Sequence, residues 1–269
     1  MGSLTGAVAL VTGASRGVGK GVALGLAEAG ATVYITGRTK EGSGTSLQST
    51  CISAEKLGGR CILIECDHAN DSASEAAIAL VTDTEGCIDL LVNSAWGGYE
   101  NMVENDTFTF AQPFWEQPIW RWDAMFTTGL RATFVCSRSA AAHMVARQSG
   151  LIVNISSFAG KRYELNVMYG TVKSATDRLT ADMALELAPH GVAAVSMYPG
   201  LVRTESVVAS GFFDLANSES PQFIGRAIAH LFQDPKIQEK NGQVVVAAEL
   251  AIEYGFTDVD GKQPAVLTA

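Results

Sequence analysis

TGASRGVG, residues 12–19, is the stretch that decides the fold. It closes the apolar run Ala7–Thr12 and opens a helical pattern over about 17–29. Glycines let a backbone turn tightly and let a diphosphate approach it closely. The helix N-terminus that follows offers unpaired N–H groups and a partial positive charge. The stretch therefore predicts a dinucleotide-binding strand–turn–helix, with Gly13, Ser15, Arg16, Gly17, Val18 and Gly19 around a pyrophosphate. A Walker-type loop is excluded, because Gly19-Lys20 is followed by Gly21 and position 14 is Ala.

Outward from this turn the same alternation repeats. Ala7–Thr12, Thr32–Thr36, Arg60–Glu65, Ile88–Asn93, Gly150–Ile155, Val192–Met197 and Gln243–Ala247 read as buried strands, rich in Val and Ile and without clean polar alternation. Helical patterns cover about 17–29, 45–58, 71–85, 119–147, 168–189 and 221–233. Strand–helix alternation implies right-handed crossovers. The prediction is an α/β fold: one Rossmann-type, doubly wound domain over 1–269, with a seven-stranded, mainly parallel sheet covered on both faces. Gly42-Ser43-Gly44 reads as a flexible turn too short to join domains. The connection 96–122 is long for such a unit and rich in aromatics, among them Tyr99, Phe108, Phe110, Phe114, Trp115 and Trp120. It reads equally as a lid over an apolar substrate and as a flap packed on the body or on another subunit.

Composition narrows the function classes. Of 269 residues 47% are hydrophobic, enough for a sizeable core. The net charge of −9 argues against nucleic acid or anionic membrane as a partner. Five cysteines with no CxxC pair and four scattered histidines predict no metal site, and reduced, mostly buried thiols in a cytoplasmic protein. No targeting segment or spanning stretch is expected.

Chemistry comes from three further places. Strand two ends Thr36-Gly37-Arg38-Thr39, with no acid to bind a ribose 2′-hydroxyl. Arg38, with Arg16 in reach, suits a 2′-phosphate instead and predicts NADP(H). Tyr169 and Lys173 stand four apart on one helical face, where an ammonium would lower the phenol's pKa and suit Tyr169 to proton transfer. Ser157 follows the strand ending at Ile155, at the carboxyl edge of the sheet where ligands bind, and is placed to hydrogen-bond a carbonyl oxygen.

Taken together, these residues resemble the short-chain dehydrogenase/reductase family from Leu4 to about residue 250: TGASRGVG at 12–19, Asp67, Asn93-Ser94-Ala95, Ser157, YGTVK at 169–173 and PGLVRT at 199–204. The resemblance implies a carbonyl reductase with Ser157, Tyr169 and Lys173 catalytic. It also implies Asp67 near the adenine, Asn93, Ala95, Pro199 and Gly200 along the cofactor, Tyr169 and Lys173 at the nicotinamide ribose, and Val202 and Thr204 at the carboxamide. Homodimers or homotetramers built on helices 119–147 and 168–189 are implied as well. ATVYITGR at 31–38, FWEQPIWRWD at 114–123, GLRATFVCS at 129–137 and YGFTDVDG at 254–261 resemble one branch of that family more closely. That branch implies NADPH-dependent reduction of apolar ketones, steroids and xenobiotic carbonyls among them. Phe158, Met168, Tyr198, Phe212 and Phe213 are then expected in the substrate pocket beside the aromatic insertion.

Two departures stand out. Where the family usually carries an Asn that holds a proton-relay water, seven residues after a Trp, Trp122 is followed by Gly129. Thr127, Thr128 or a backbone carbonyl are the candidates to replace it. Where Asn-Ala-Gly is usual after strand four, the chain reads Asn93-Ser94-Ala95-Trp96. Two other readings remain, an NAD-dependent alcohol dehydrogenase and a nicotinamide-binding sensor with little turnover. Cofactor preference and turnover separate them from the reductase.

Overall fold

Seven short runs of Val, Ile, Leu and Ala form the central sheet: β1 (Val8–Val11), β2 (Thr32–Gly37), β3 (Arg60–Glu65), β4 (Leu90–Asn93), β5 (Gly150–Ile155), β6 (Val192–Tyr198) and β7 (Val244–Val246). The computed structural model describes residues 4–42, 44–100, 102–104 and 107–267. Ser43 of the expected Gly-Ser-Gly turn and residues 101, 105 and 106 of the insertion lie outside the described residues. All seven strands are parallel, in the order β7-β6-β5-β4-β1-β2-β3. The order reverses between β1 and β4, and a ligand crevice opens at such a switch point.

Both faces of the sheet are apolar because alternate residues feed two separate cores. Ala9, Val11, Val33, Ile35, Leu90, Val92, Leu151 and Val153 pack on one side with α1 (Gly17–Glu28) and α8 (Pro221–Phe232). Val8, Leu10, Tyr34, Leu91 and Ile152 pack on the other, against α3 (Asp71–Glu85), α5 (Ala132–Arg147) and α6 (Val167–Leu187). The remaining helices are α2 (Leu47–Glu55), α4 (Ile119–Ala124), α7 (Glu205–Ser210) and α9 (Ala247–Tyr254). Among the described residues of the insertion, Val103–Glu104 pairs antiparallel with Thr107–Phe108. The helical pattern over 119–147 is one continuous run, but its middle, Met125–Arg131, widens into a π-type turn.

α1 and α8 cross at glycines. A Cβ on Gly21 would lie 2.0 Å from the Pro221 carbonyl carbon, and one on Gly25 2.5 Å from that of Gly225. Gly21→Ala gains at most about 1 kcal/mol of helix propensity. It forces two backbones apart, which costs about 1–3 kcal/mol or more. The melting temperature of Gly21→Ala is therefore expected to fall by several degrees, read by calorimetry. A rise would mean that the helices separate freely at this point.

One sequence expectation is corrected here. Cys51 on α2 and Cys61 on β3 form a disulfide, their Cα atoms 5.0 Å apart, so not all five thiols are reduced. The turn between this helix and strand folds the chain back on itself and brings together two positions ten residues apart, a pairing that CxxC spacing does not signal. Cys66, Cys87 and Cys136 are free. No helix among the described residues is long and apolar enough to cross a membrane.

Candidate active site

At the carboxyl edge of the sheet lies a cavity of about 950 Å³. Gly13, Ser15, Arg16, Gly17, Val18, Gly19, Arg38, Asp67, Asn93, Ala95, Ser157, Tyr169, Lys173, Pro199, Gly200, Val202 and Thr204 all border it. The structure thus gathers the catalytic and cofactor-binding candidates of the sequence around one cavity.

The 13–19 turn is shaped for close approach. Gly13 has φ +68°, and a Cβ there would lie 2.6 Å from the Ala95 Cα; one on Gly19 would meet the Gly13 carbonyl oxygen at 2.4 Å. Thr12 braces the turn, its Oγ1 accepting the N–H groups of Ser94 and Ala95 at 3.0 Å. No side chain caps α1 locally and its first turn carries no acid. The N–H of Gly17 is instead donated to the carboxylate of Glu205, 2.9 Å away on α7. An anionic group thus already sits on this N-terminus, as its partial charge favours. The glycine cradle fits a pyrophosphate, which would take the place of this carboxylate at the Gly17 N–H. Arg38 lies at the exposed end of β2, its guanidinium 3.4 Å from Glu100 of the insertion.

Asn166 positions the catalytic candidates. It caps α6, accepting the Tyr169 N–H at 2.8 Å, and its Nδ2 donates to the Phe110 carbonyl at 2.9 Å, which ties the insertion to the helix. Leu165 just before it has φ +66°, a strained conformation for a branched side chain, beside the cavity. Lys173 is buried and its Nζ donates to the Ile155 carbonyl at 2.9 Å. Burial brings its pKa down to about 8. The Tyr169 phenol departs from the sequence expectation. Burial pushes its pKa above the usual value, while hydrogen bonding with Ser157 and Tyr99 opposes that rise. The cost of desolvating a phenolate outweighs the charge nearby, and that cost becomes visible only once the packing is known.

Several site residues were not foreseen. Glu219 is buried and accepts the Gly200 N–H at 2.8 Å, holding the 199–204 loop; burial pushes its pKa up to about 7. Trp96 stands edge-on to Tyr169, ring centroids 5.6 Å apart, and its face lies 4.2 Å from Lys173 Nζ. Asn166 had a signal in the sequence, a capping residue three positions before Tyr169, and Trp96 had one as a departure from the usual Asn-Ala-Gly. Gly129 and Thr128 border the cavity, and the Gly129 carbonyl accepts the Thr133 hydroxyl at 2.7 Å.

The apolar wall differs from expectation. Met102, Phe108, Phe110, Leu165, Val207 and Phe213 line it, with Phe158. Met168 and Tyr198 are core residues instead, Tyr198 donating its hydroxyl to Asp177, and Phe212 meets Phe108 at a tilt from outside the lining. The insertion divides. From its first half Trp96, Tyr99, Met102, Val103, Phe108 and Phe110 border the cavity, whereas Phe114 and Trp115 are 62% and 71% exposed.

Comparison with known proteins accords with this geometry. The profile of the family described as short chain dehydrogenase matches residues 7–211. Dehydrogenase/reductase SDR family member 1 of Mus musculus is 40% identical, over 96% of this chain and 85% of that protein. Its Homo sapiens counterpart is 38% identical over the same shares. The crystal structure of a metagenomic short-chain oxidoreductase in complex with NADP superposes with a TM-score of 0.73 and 29% identity, covering 90% of this chain and 96% of that one.

Proposed function

The chain belongs to the short-chain dehydrogenase/reductase family, and on that premise we propose that it is an NADPH-dependent carbonyl reductase acting on an apolar ketone or aldehyde, steroid-like or xenobiotic-like in shape. The observation that carries the reading is the meeting of Ser157, Tyr169 and Lys173 with the glycine turn around one cavity, on which Met102, Phe108, Phe110, Leu165 and Phe213 form an apolar wall.

In this reading the 13–19 turn holds the pyrophosphate, Arg38 and Arg16 the 2′-phosphate, Asp67 the adenine end, Asn93, Ala95, Pro199 and Gly200 the length of the cofactor, and Val202 and Thr204 the carboxamide end. Bound there, NADPH supplies the hydride that the carbonyl carbon receives. Ser157 and Tyr169 hold the carbonyl oxygen between their hydroxyls. Tyr169 passes its proton to that oxygen as negative charge develops on it. A phenol whose pKa is raised stays protonated near neutral pH, which suits the reducing direction. The Lys173 ammonium stabilises the phenolate left behind. The apolar wall excludes water and favours uncharged substrates.

Titration with NADPH and NADH, then absorbance decay with ketones, quinones and steroids, tests the reading. Tight NADPH binding without turnover on any of them would favour a sensor. The pH profile sharpens the test. Lys173 is charged below about 8 and neutral above it. Reduction is therefore expected to hold through neutral pH and decline as pH rises through about 8. A rate level to pH 10 would remove the lysine's charge from the mechanism. The exposed Phe134 on α5 and Leu185 on α6 support association of these helices into a homodimer or homotetramer, checked by light scattering.

A further inference from the structure

Gly129 and Trp96 are fitted to each other. Gly129 lies in the π-type turn Met125–Arg131, and a Cβ there would come within 2.7 Å of the Trp96 ring. The indole thus occupies the space that the missing side chain leaves. From that seat its face lies 4.2 Å from Lys173 Nζ, and its edge meets Tyr169. Of the groups around the ammonium, the Ile155 carbonyl accepts one hydrogen bond at 2.9 Å. Asp177, one turn along α6, attracts it and is itself hydrogen-bonded by Tyr198 from β6. Tyr169 is a further titratable neighbour, its ring centroid 5.7 Å away. A buried ammonium needs compensation for lost water, and an aromatic face supplies it best when desolvated.

We propose that Trp96 is a positioning residue for Lys173: seated on Gly129, its indole face holds the charged ammonium against the Ile155 carbonyl and beneath Tyr169. This assignment rests on the reductase reading for its effect on rate, but not for its effect on the lysine itself. A hydrophobic core residue of the same volume would fill the space without favouring the charge. The indole does both. Gly129 contributes by its lack of a side chain, which leaves room for the indole.

The test compares wild type with Trp96→Phe, Trp96→Leu and Gly129→Ala, each first shown folded by circular dichroism and thermal melting. Two readouts are taken. One is kcat against pH for an active carbonyl. The other is the pH midpoint of Lys173 acetylation by trace acetic anhydride between pH 6 and 11, read by peptide mass spectrometry. Trp96→Leu is expected to lower kcat by about 10- to 30-fold and the midpoint by about one unit, the scale of a desolvated cation–π contact. Trp96→Phe, which keeps an aromatic face, is expected to stay near wild type in both. Gly129→Ala, which pushes the indole aside, is expected to shift both in the direction of Trp96→Leu. Equal midpoints in wild type and Trp96→Leu would overturn the proposal, and so would Phe and Leu variants that shift alike. If wild type reduces no carbonyl, the reductase reading fails, yet the acetylation midpoints still decide this assignment.

Discussion

Tyr169→Phe is expected to lower kcat for carbonyl reduction by about 10²- to 10⁴-fold, the usual contribution of a positioned general acid, while NADPH still binds. That loss corresponds to roughly 3–5 kcal/mol of transition-state stabilisation. The substitution removes one hydroxyl and keeps the ring, so the edge contacts with Trp96 and Phe110 remain and the melting temperature should hardly move. Ser157 stays as a donor to the carbonyl oxygen but can pass on no comparably acidic proton. The Tyr99 phenol, hydrogen-bonded to the Tyr169 hydroxyl in wild type, loses that partner in the variant. Steady-state kinetics with fluorescence titration of NADPH separates the outcomes. Lost turnover with unchanged cofactor affinity fits a proton donor. Near-normal turnover would remove Tyr169 from the chemistry, and weakened NADPH binding alone would make it a cofactor ligand only.

The features legible in the sequence are local ones. The glycine turn is a contiguous signal, and all seven strands read correctly because each is a short apolar run bounded by turns. α7, α9 and the hairpin at 103–108 were not read, because two to eight residues carry too little periodicity to stand out. The widened turn at Met125–Arg131 was hidden within a helical pattern that runs through it unbroken. The fit of Trp96 to Gly129 joins residues 33 positions apart and has no sequence signature, although each looked anomalous alone. The acidity of Tyr169 was misjudged for a related reason. A lysine four residues away is visible in sequence, whereas the burial that outweighs it comes from the insertion and the packed core around α6.

Arg38→Ala is expected to weaken NADPH binding about 10- to 100-fold and leave NADH nearly unchanged, as follows from losing a charge-assisted contact worth roughly 1.5–3 kcal/mol. The competing partner of Arg38 is already in view. Glu100 lies 3.4 Å from the guanidinium, with both side chains well exposed. An exposed pair of this kind is worth about 0–1 kcal/mol, less than a bidentate contact to a phosphate carrying nearly two charges. The phosphate should therefore displace the carboxylate, at a cost that places the net effect nearer tenfold than a hundredfold. Two further consequences identify the contact as electrostatic. NADPH affinity should fall with added salt more steeply in wild type than in Arg38→Ala. Combining Arg38→Ala with Arg16→Ala should bring the two nicotinamides to similar affinity, because the described end of β2 supplies no acid to favour the 2′-hydroxyl. Fluorescence titrations at two salt concentrations measure both. If the double variant keeps the wild-type preference for NADPH, the two arginines do not read the 2′-phosphate. If wild type shows no preference to lose, the chain accepts either nicotinamide, and the oxidising direction becomes the one to assay.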